Sequence, residues 1–460
     1  MPVTIPDAHV FDAVFDFLRR GADAGRLLLS GSQLDCAQRG TEVRGTPFYQ
    51  FERGIVYSDG RLDLCKTALG PTHIDALFDA LEGNEHVSQF LLGNNVISTT
   101  GTLRIAAFIH KYPLRIETWY LAGCHITAAP FEALAAAMAR SPRLTNVWLK
   151  RNPLGPEAVP PLVHLIVTAP NLRTLDLENT ELGDDGVARL FAGLQGKPSS
   201  LRNIYLNACG IGVKASRALA GYLDSPTAHV ESLFLASNPI GDAGMAHLAP
   251  AVGRHARLKR ITFASSGLTL GGISQLCGAL KAHPSMVSVD LGAAQTSRAH
   301  AQRFNHVDGA AVSPLHDLMQ APMLRALSLN RTALTGWELA RLKRHVADSR
   351  LVFFECFSVH RQHSDEEADV MMRRQLSANR NRYFPEVASQ TAFESSEACR
   401  FLRNTEDVRL IDSQYRTLDK KGRMRPNPVW DEGAETWRVV VSDAQRWRGI
   451  DSHETVQMPS

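Results

Sequence analysis

The sequence predicts an α/β solenoid, with parallel strands on a concave face and helices on a convex one. Three observations predict it. A short apolar phrase recurs at a nearly constant interval, a small polar residue follows almost every copy at a fixed distance, and between copies the apolar period changes from two to helical.

The phrase is clearest at Leu172, Leu175 and Leu177, followed by Leu182. Leu144, Val147 and Leu149 with Leu154 keep its spacing, as do Leu201, Ile204 and Leu206 with Ile211. Its last strand position falls at Leu64, Leu92, Leu121, Leu149, Leu177, Leu206, Leu235, Phe263, Leu291, Leu329 and Cys356. Successive intervals are 28 or 29 residues as far as Leu291, then 38 and 27. Three residues beyond that position stand Thr67, Asn95, Cys124, Asn152, Thr180, Cys209, Asn238, Ser266 and Thr332. Such side chains can form a ladder that satisfies backbone groups where the chain leaves the strand. Cys124 and Cys209 are accordingly read as rungs rather than nucleophiles. The Leu291 copy has Ala294 at this place and lacks a rung.

After Asp184 and Asp185, the residues Val187, Leu190, Phe191 and Leu194 form a helical stripe. Thr127, Asp184, Asp242, Thr269 and Thr335 are placed to cap the helices that follow them. One strand and one helix cannot bury both their apolar faces alone, but stacked copies share a continuous core. Parallel strands with helices outside follow from that stacking.

With a helix in each unit, the pattern LxxLxLxx(N/C/T)x(L/I) resembles the ribonuclease-inhibitor class of leucine-rich repeats. The turns Asn238-Pro239-Ile240-Gly241 and Cys124-His125-Ile126-Thr127 resemble its two alternating repeat flavours. The resemblance covers roughly residues 58–358 and implies a leucine-rich repeat horseshoe of about 11 repeats. Horseshoes of this kind serve many unrelated recognition tasks, so the resemblance speaks for fold more than for function.

Residues 1–57 are expected to cap the first repeat, with a helix over 7–20 burying Val10, Val14, Phe17 and Leu18 and a strand at Arg26–Leu29. Ile5-Pro6-Asp7 with Val10, Phe15 and Leu18 also faintly resembles the opening of an F-box, although the later signature is missing. The long interval places an insertion at about 293–309, containing His300 and His306, near the rim. A C-terminal cap helix is expected within 359–384, at Glu366–Arg382. Residues 385–460 carry no family motif that their sequence makes evident; they hold Trp430, Trp437 and Trp447, with strands suggested at Asp407–Ile411 and Trp437–Val441.

Composition narrows the function. The 460 residues are 44% hydrophobic and 21% charged, with a net charge of +3, too small for a whole-protein field toward nucleic acid or membranes. No apolar run is long enough to span a bilayer, and Met1–Asp7 does not read as a signal peptide. Seven scattered cysteines make no disulfide framework. A cytoplasmic protein with reduced thiols is expected, favoured as a monomer, without nucleic-acid or membrane partners.

Catalytic motifs are few and weak. Gly210, Gly212 and Ala215 match a dinucleotide fingerprint only in spacing, since they fill an ordinary repeat turn. Gly196-Lys197-Pro198 lacks the remainder of a phosphate loop. His360 and His363, near Asp365, Glu366 and Glu367, read as a solvated edge rather than a metal site. Cys399 has no evident His or Asp partner. No cofactor, metal or catalytic residue is assigned.

The strand geometry does offer a binding face. Side chains alternate across a strand, so the residue between the last two apolar positions points away from the core. This column reads Asp63, Leu91, Tyr120, Trp148, Asp176, Tyr205, Phe234, Thr262, Asp290, Ser328 and Glu355. Four of five consecutive strands supply an aromatic ring, a stripe roughly 19 Å long at about 4.8 Å per strand. Tyr120, Trp148, Asp176, Tyr205 and Phe234 are therefore expected to face a protein or peptide ligand, rimmed by Lys150, Arg151 and Glu178, with Asn146, Asn203 and Asn207 beside them. In the resembled family, outward aromatic and acidic residues in this column contact the ligand. Plain cross-strand packing, or cover by Trp430, Trp437 or Trp447, would explain the same residues.

The reading is a non-enzymatic recognition scaffold. One alternative is the substrate-recognition part of a modifying enzyme or adaptor, with activity in 386–460 or in a recruited partner. Another is an effector whose F-box-like start recruits a ubiquitin ligase.

Overall fold

In the computed structural model, which describes residues 5–41, 46–294, 304–358 and 365–385 and the backbone of 427–431 and 436–440, each copy of the apolar phrase forms a short strand followed by a helix. Two compact units divide the chain: Met1–His125 with Leu410–Ser460, and Ile126–Arg409.

The first unit begins with helix α1 (His9–Arg19) and helix α2 (Asp23–Ser30). Strands β1 (Gln38–Thr41), β2 (Pro47–Gln50), β3 (Ile55–Tyr57) and β4 (Arg61–Asp63) pair antiparallel in order. From β4 the pairing turns parallel, through β5 (Gln89–Leu91) to β6 (Thr118–Tyr120), with α3 (Ile74–Leu81) and α4 (Ser98–Lys111) in the crossovers. Phe90, in the middle of β5, lies 5.7 Å from Phe78 of α3, which fixes the helix side of the sheet.

Helix α1 packs on α3 and buries Phe11, Val14, Phe15, Phe17 and Leu18. Val10 is only half-buried, so the inward stripe lies one residue further round than the sequence suggests. The strand expected at Arg26–Leu29 is instead part of α2, which ends at Gly31 in the left-handed region. A short apolar run does not distinguish strand from helix; here the glycine C-cap completes a helix whose inner side is Ala24 and Leu28.

The second unit contains eight parallel strands, paired in sequence order. They are β7 (Asn146–Trp148), β8 (Thr174–Asp176), β9 (Asn203–Tyr205), β10 (Ser232–Phe234), β11 (Arg260–Thr262), β12 (Ser288–Asp290), β13 (Ala326–Thr332) and β14 (Phe353–Ser358). Helices α5 (Ala128–Ala139), α6 (Val159–Thr168), α7 (Gly183–Leu194), α8 (Val213–Leu223), α9 (Gly241–Arg254), α10 (Leu270–Leu280), α11 (Val312–Met319) and α12 (Gly336–Arg344) pack side by side. Helix α13 (Glu366–Tyr383) follows β14 and packs on α12. Strand leucines such as Leu175, Leu177, Leu206, Leu233 and Leu235 are fully buried, as is the stripe Val187, Leu190, Phe191 and Leu194.

The ladder is built as its side chains suggest. Asn238 accepts from the backbone N–H of Cys209 and Ile211 and donates to the carbonyls of Leu206 and Leu235, at 2.8–3.0 Å. Cys209 donates through Sγ to the Leu177 carbonyl, and burial pushes its thiol up to about 12, which suits a rung and not a nucleophile. The six cysteines among the described residues are all free.

The Leu291 repeat does have a rung. Asn305 accepts from Ser266 and Leu268 N–H and donates to the Phe263 and Leu291 carbonyls. The insertion therefore lies between strand and rung. Ala294 holds the sequence position, and Asn305 holds the place in space.

Two expected caps also act elsewhere. Asp184 and Asp242 lie inside the first turns of α7 and α9. Asp184 accepts from Gly212 and Ala215 N–H at 2.8 Å, capping α8 of the next repeat. Asp242 accepts from Thr269 N–H at 2.8 Å at the start of α10. Burial pushes the Asp242 carboxyl up, but hydrogen bonds from Thr269 and Gly272 outweigh it and hold the group below the ordinary carboxylate range. Thr127 and Thr269 occupy N-cap positions without a side-chain cap bond, whereas Thr335 forms a capping box with Glu338.

Backbone strands β15 (Asn427–Asp431) and β16 (Thr436–Val440) form an antiparallel pair with Trp430 and Trp437 at partnered register positions. The expected strand at Asp407–Ile411, the insertion's His300, the pair His360 and His363, and Cys399 lie outside the described residues.

Candidate functional site

The outward column is in register as the alternation requires. In the second unit Trp148 pairs with Asp176, Asp176 with Tyr205, Tyr205 with Phe234, and Phe234 with Thr262. In the first unit Asp63 pairs with Leu91, and Leu91 with Tyr120.

What the alternation does not reveal is how the rings lie. Tyr205 and Phe234 stack face to face, with centroids 4.2 Å apart and planes 6° from parallel. The Trp148 ring reaches over the smaller Asp176 and meets Tyr205 at 5.0 Å, tilted by 46°. Trp148, Tyr205 and Phe234 thus form one aromatic cluster on the face opposite the helices. Large rings on neighbouring strands gain packing beyond their burial in such offset arrangements.

The stripe is not uniformly exposed, contrary to the expectation. Trp148 retains 3% of its surface and Tyr120 2%, whereas Tyr205 and Phe234 are half-buried. Tyr120 packs against Gly93 of its own unit; a Cβ there would stand 2.3 Å from the tyrosine ring. The accessible aromatic surface of the second unit's stripe is therefore the Tyr205–Phe234 pair. Asp176 is fully buried beneath the Trp148 ring edge and accepts from Glu178 N–H at 2.9 Å.

The rim residues join this arrangement unequally. Lys150 Nζ is 3.9 Å from Asp176 Oδ2, a long ion pair. Glu178 accepts from Asn207 Nδ2 at 3.0 Å, and Asn207 Oδ1 accepts from Ala236 N–H at 2.8 Å. Asn207, a secondary choice from sequence, is thus the residue that ties the rim to the strand end beside Phe234. Arg151 is exposed and takes a left-handed backbone conformation, φ 59°, as do Asn179, Ala208 and Ser237 at the equivalent turns. Asn146 and Asn203 are buried, with their amides donating to Thr145 and Thr174 hydroxyls.

Further along the same face the chemistry changes. Thr262 donates to Asp290 at 3.3 Å, and Ser328 donates to Glu355 at 2.9 Å. Burial pushes the Asp290 carboxyl above its ordinary range, and the nearby Glu355 charge adds to the shift. Among the described residues no group of His, Cys, Asp and Glu side chains could hold a metal ion. Among them also, no helix is long and apolar enough to cross a membrane.

A repeating strand–helix unit with a polar ladder at the strand ends defines a leucine-rich repeat solenoid, and the sequence comparisons find repeats of that kind. A family model described as Leucine Rich repeat matches residues 168–191 and 228–249. NACHT, LRR and PYD domains-containing protein 5 of Mus musculus is 29% identical over 219 residues, 41% of this chain and 19% of that protein. The ribonuclease inhibitor of Sus scrofa is 25% identical over 265 residues, 51% of this chain and 58% of that protein. A leucine-rich repeat-containing protein of Legionella pneumophila, LegL7, superposes with a TM-score of 0.43 at 17% identity, over 69% of this chain and 97% of that one. The matched region thus spans under two thirds of the two sequence relatives. Over its repeats the chain is similar to ribonuclease-inhibitor-like leucine-rich repeat proteins.

Proposed function

We propose that this chain is a non-enzymatic scaffold that binds a protein or peptide on the helix-free face of its sheet, anchored at Tyr205 and Phe234. The stacked pair carries the reading. Two half-buried rings, fixed by each other and by Trp148, present apolar surface without any ordering cost at binding. Trp148 acts from beneath, holding Tyr205 in place. Lys150, Arg151 and Glu178 supply mixed charge at the margin, where they favour one partner over others more than they add affinity. One relative is named for inhibiting a ribonuclease, an action on another protein, which supports binding without choosing the partner.

The packing of α1 on α3 supports a capping role for the N-terminus over recruitment of a ligase.

The test is affinity capture from native lysate with wild type beside Trp148→Ala/Tyr205→Ala, with binding then measured on the purified partner. Tyr205→Ala is expected to cost about 2 kcal/mol in affinity and Trp148→Ala somewhat less, since it acts through its neighbour. A partner retained at wild-type affinity by the folded double variant would remove the stripe from the binding face.

A further inference from the structure

A second surface lies on the helix side of the second unit. Between α6 and α7 runs an open groove of about 620 Å³, floored by Val159, Val163, Val167 and Ala192 and edged by Arg189 and Lys197. Helix α6 explains the floor. Its sequence, Val-Pro-Pro-Leu-Val-His-Leu-Ile-Val-Thr, contains no acidic, lysine or arginine residue, so its outer side is uncharged, with Pro160, His164 and Thr168 exposed beside half-buried Val163 and Val167.

The charges at the edge carry the second part of the argument. Three helix junctions of this unit are bridged by opposite charges. Lys214 of α8 pairs with Asp185 of α7, Arg254 with Asp224 at 2.7 Å across α8 and α9, and Arg344 with Asp365 at 2.6 Å beside α13. At the α6–α7 junction Arg189 acts at a distance on Asp185, whose carboxylate Lys214 holds directly, and Lys197 lies at the groove edge with no acidic residue lining the groove. Asp185, one turn before Arg189, is already held by Lys214, and α6 offers no carboxylate. His164 also borders the groove, and no acidic residue lines it.

The geometry points to this groove as a docking site for an acidic amphipathic segment of another protein. Its apolar side chains lie along Val163 and Val167, and its carboxylates lie on Arg189 and Lys197. An apolar floor edged by Arg189 and Lys197, with no acidic residue in the lining, selects this occupant over a basic or purely apolar one. The site is separate from the Tyr205–Phe234 face, and neither reading depends on the other.

Short random peptides displayed on phage, selected on the full chain, test it, with a Val163→Glu/Arg189→Glu/Lys197→Glu variant as the counter-selection target. All three side chains are exposed or half-exposed, and a thermal melt matching wild type confirms the fold of the variant. Enriched peptides should combine acidic with apolar residues, lose affinity about tenfold or more in the variant, weaken with added salt, and be unaffected by Tyr205→Ala. Arg189→Gln/Lys197→Gln should remove most of the salt dependence while keeping part of the affinity. Enrichment of peptides without acidic residues, or equal binding of acidic ones to the triple variant, would overturn the site. So would self-association of wild type abolished in that variant, which would make the occupant a second copy of this chain.

Discussion

The repeats of β10 and β12 reach the same ladder by different routes. Asn238 stands 3 residues beyond Leu235, whereas Asn305 stands 14 beyond Leu291. Yet each amide accepts from two N–H groups of the preceding repeat and donates to a carbonyl there and to the end of its own strand, where Asn238 also reaches Ala236. The four unpaired backbone groups at the turn must be satisfied wherever the chain returns. The ladder is a demand of the space between repeats, and sequence spacing is only its usual consequence. The outward faces of the two regions differ more: stacked aromatics end at Phe234, and hydroxyls and carboxylates follow from Thr262 to Glu355.

The most damaging way to break the comparison is to remove the rungs. Asn238→Ala and Asn305→Ala each strand several buried backbone groups at roughly 1–3 kcal/mol apiece, so each should cost about 3–5 kcal/mol once water partly compensates. Chemical denaturation of the two variants should give similar losses. A loss below about 1 kcal/mol for Asn305→Ala alone would mean that the interrupted repeat does not lean on its displaced rung.

A smaller effect tests how neighbouring repeats hold each other. Asp184 begins in α7 but caps α8, so Asp184→Ala should cost about 1–2 kcal/mol and release protection at the amides of Gly212 and Ala215. Hydrogen exchange distinguishes the two assignments. Fraying confined to the start of α7 would return Asp184 to its own helix.

These same places mark where the sequence is legible and where it is not. The strand period, the rungs and the outward column follow from alternation and repeat length, because each depends on a few residues close in the chain. Asn305 escapes that reading because the insertion shifts its phase, although Asn305-His306-Val307 repeats the Asn-x-apolar form of Asn238-Pro239-Ile240 and could have shown it. The reach of Asp184 escapes it because capping partners are sought within one turn, and this one is 28 residues ahead. The contact of Trp148 with Tyr205 spans two strands across a small residue, so alternation gives the side of the sheet but not the lie of the ring. The uncharged sequence of α6 is legible on its own; the cations that edge its groove come from the neighbouring helix and the turn after it.

The finest test lies on the polar part of the face. Asp290 is buried beside Glu355, and both effects raise its carboxyl pKa in the folded chain. A raised acid favours the folded state while protonated, so its contribution is fully present below the unfolded carboxylate range. It is lost as pH rises through the folded value. Asp290→Asn keeps an acceptor for Gly292 N–H and Thr262 while removing the charge that burial opposes. The variant should therefore melt slightly above wild type at neutral pH, and the two curves should converge as pH falls below the ordinary carboxylate range. Glu355→Gln should act in the same direction more weakly, since it removes only the neighbour's repulsion. An Asp290→Asn variant less stable than wild type at neutral pH would mean that its charged hydrogen bonds outweigh burial. The polar region would then be held together by its carboxylates, as the aromatic region is by its rings.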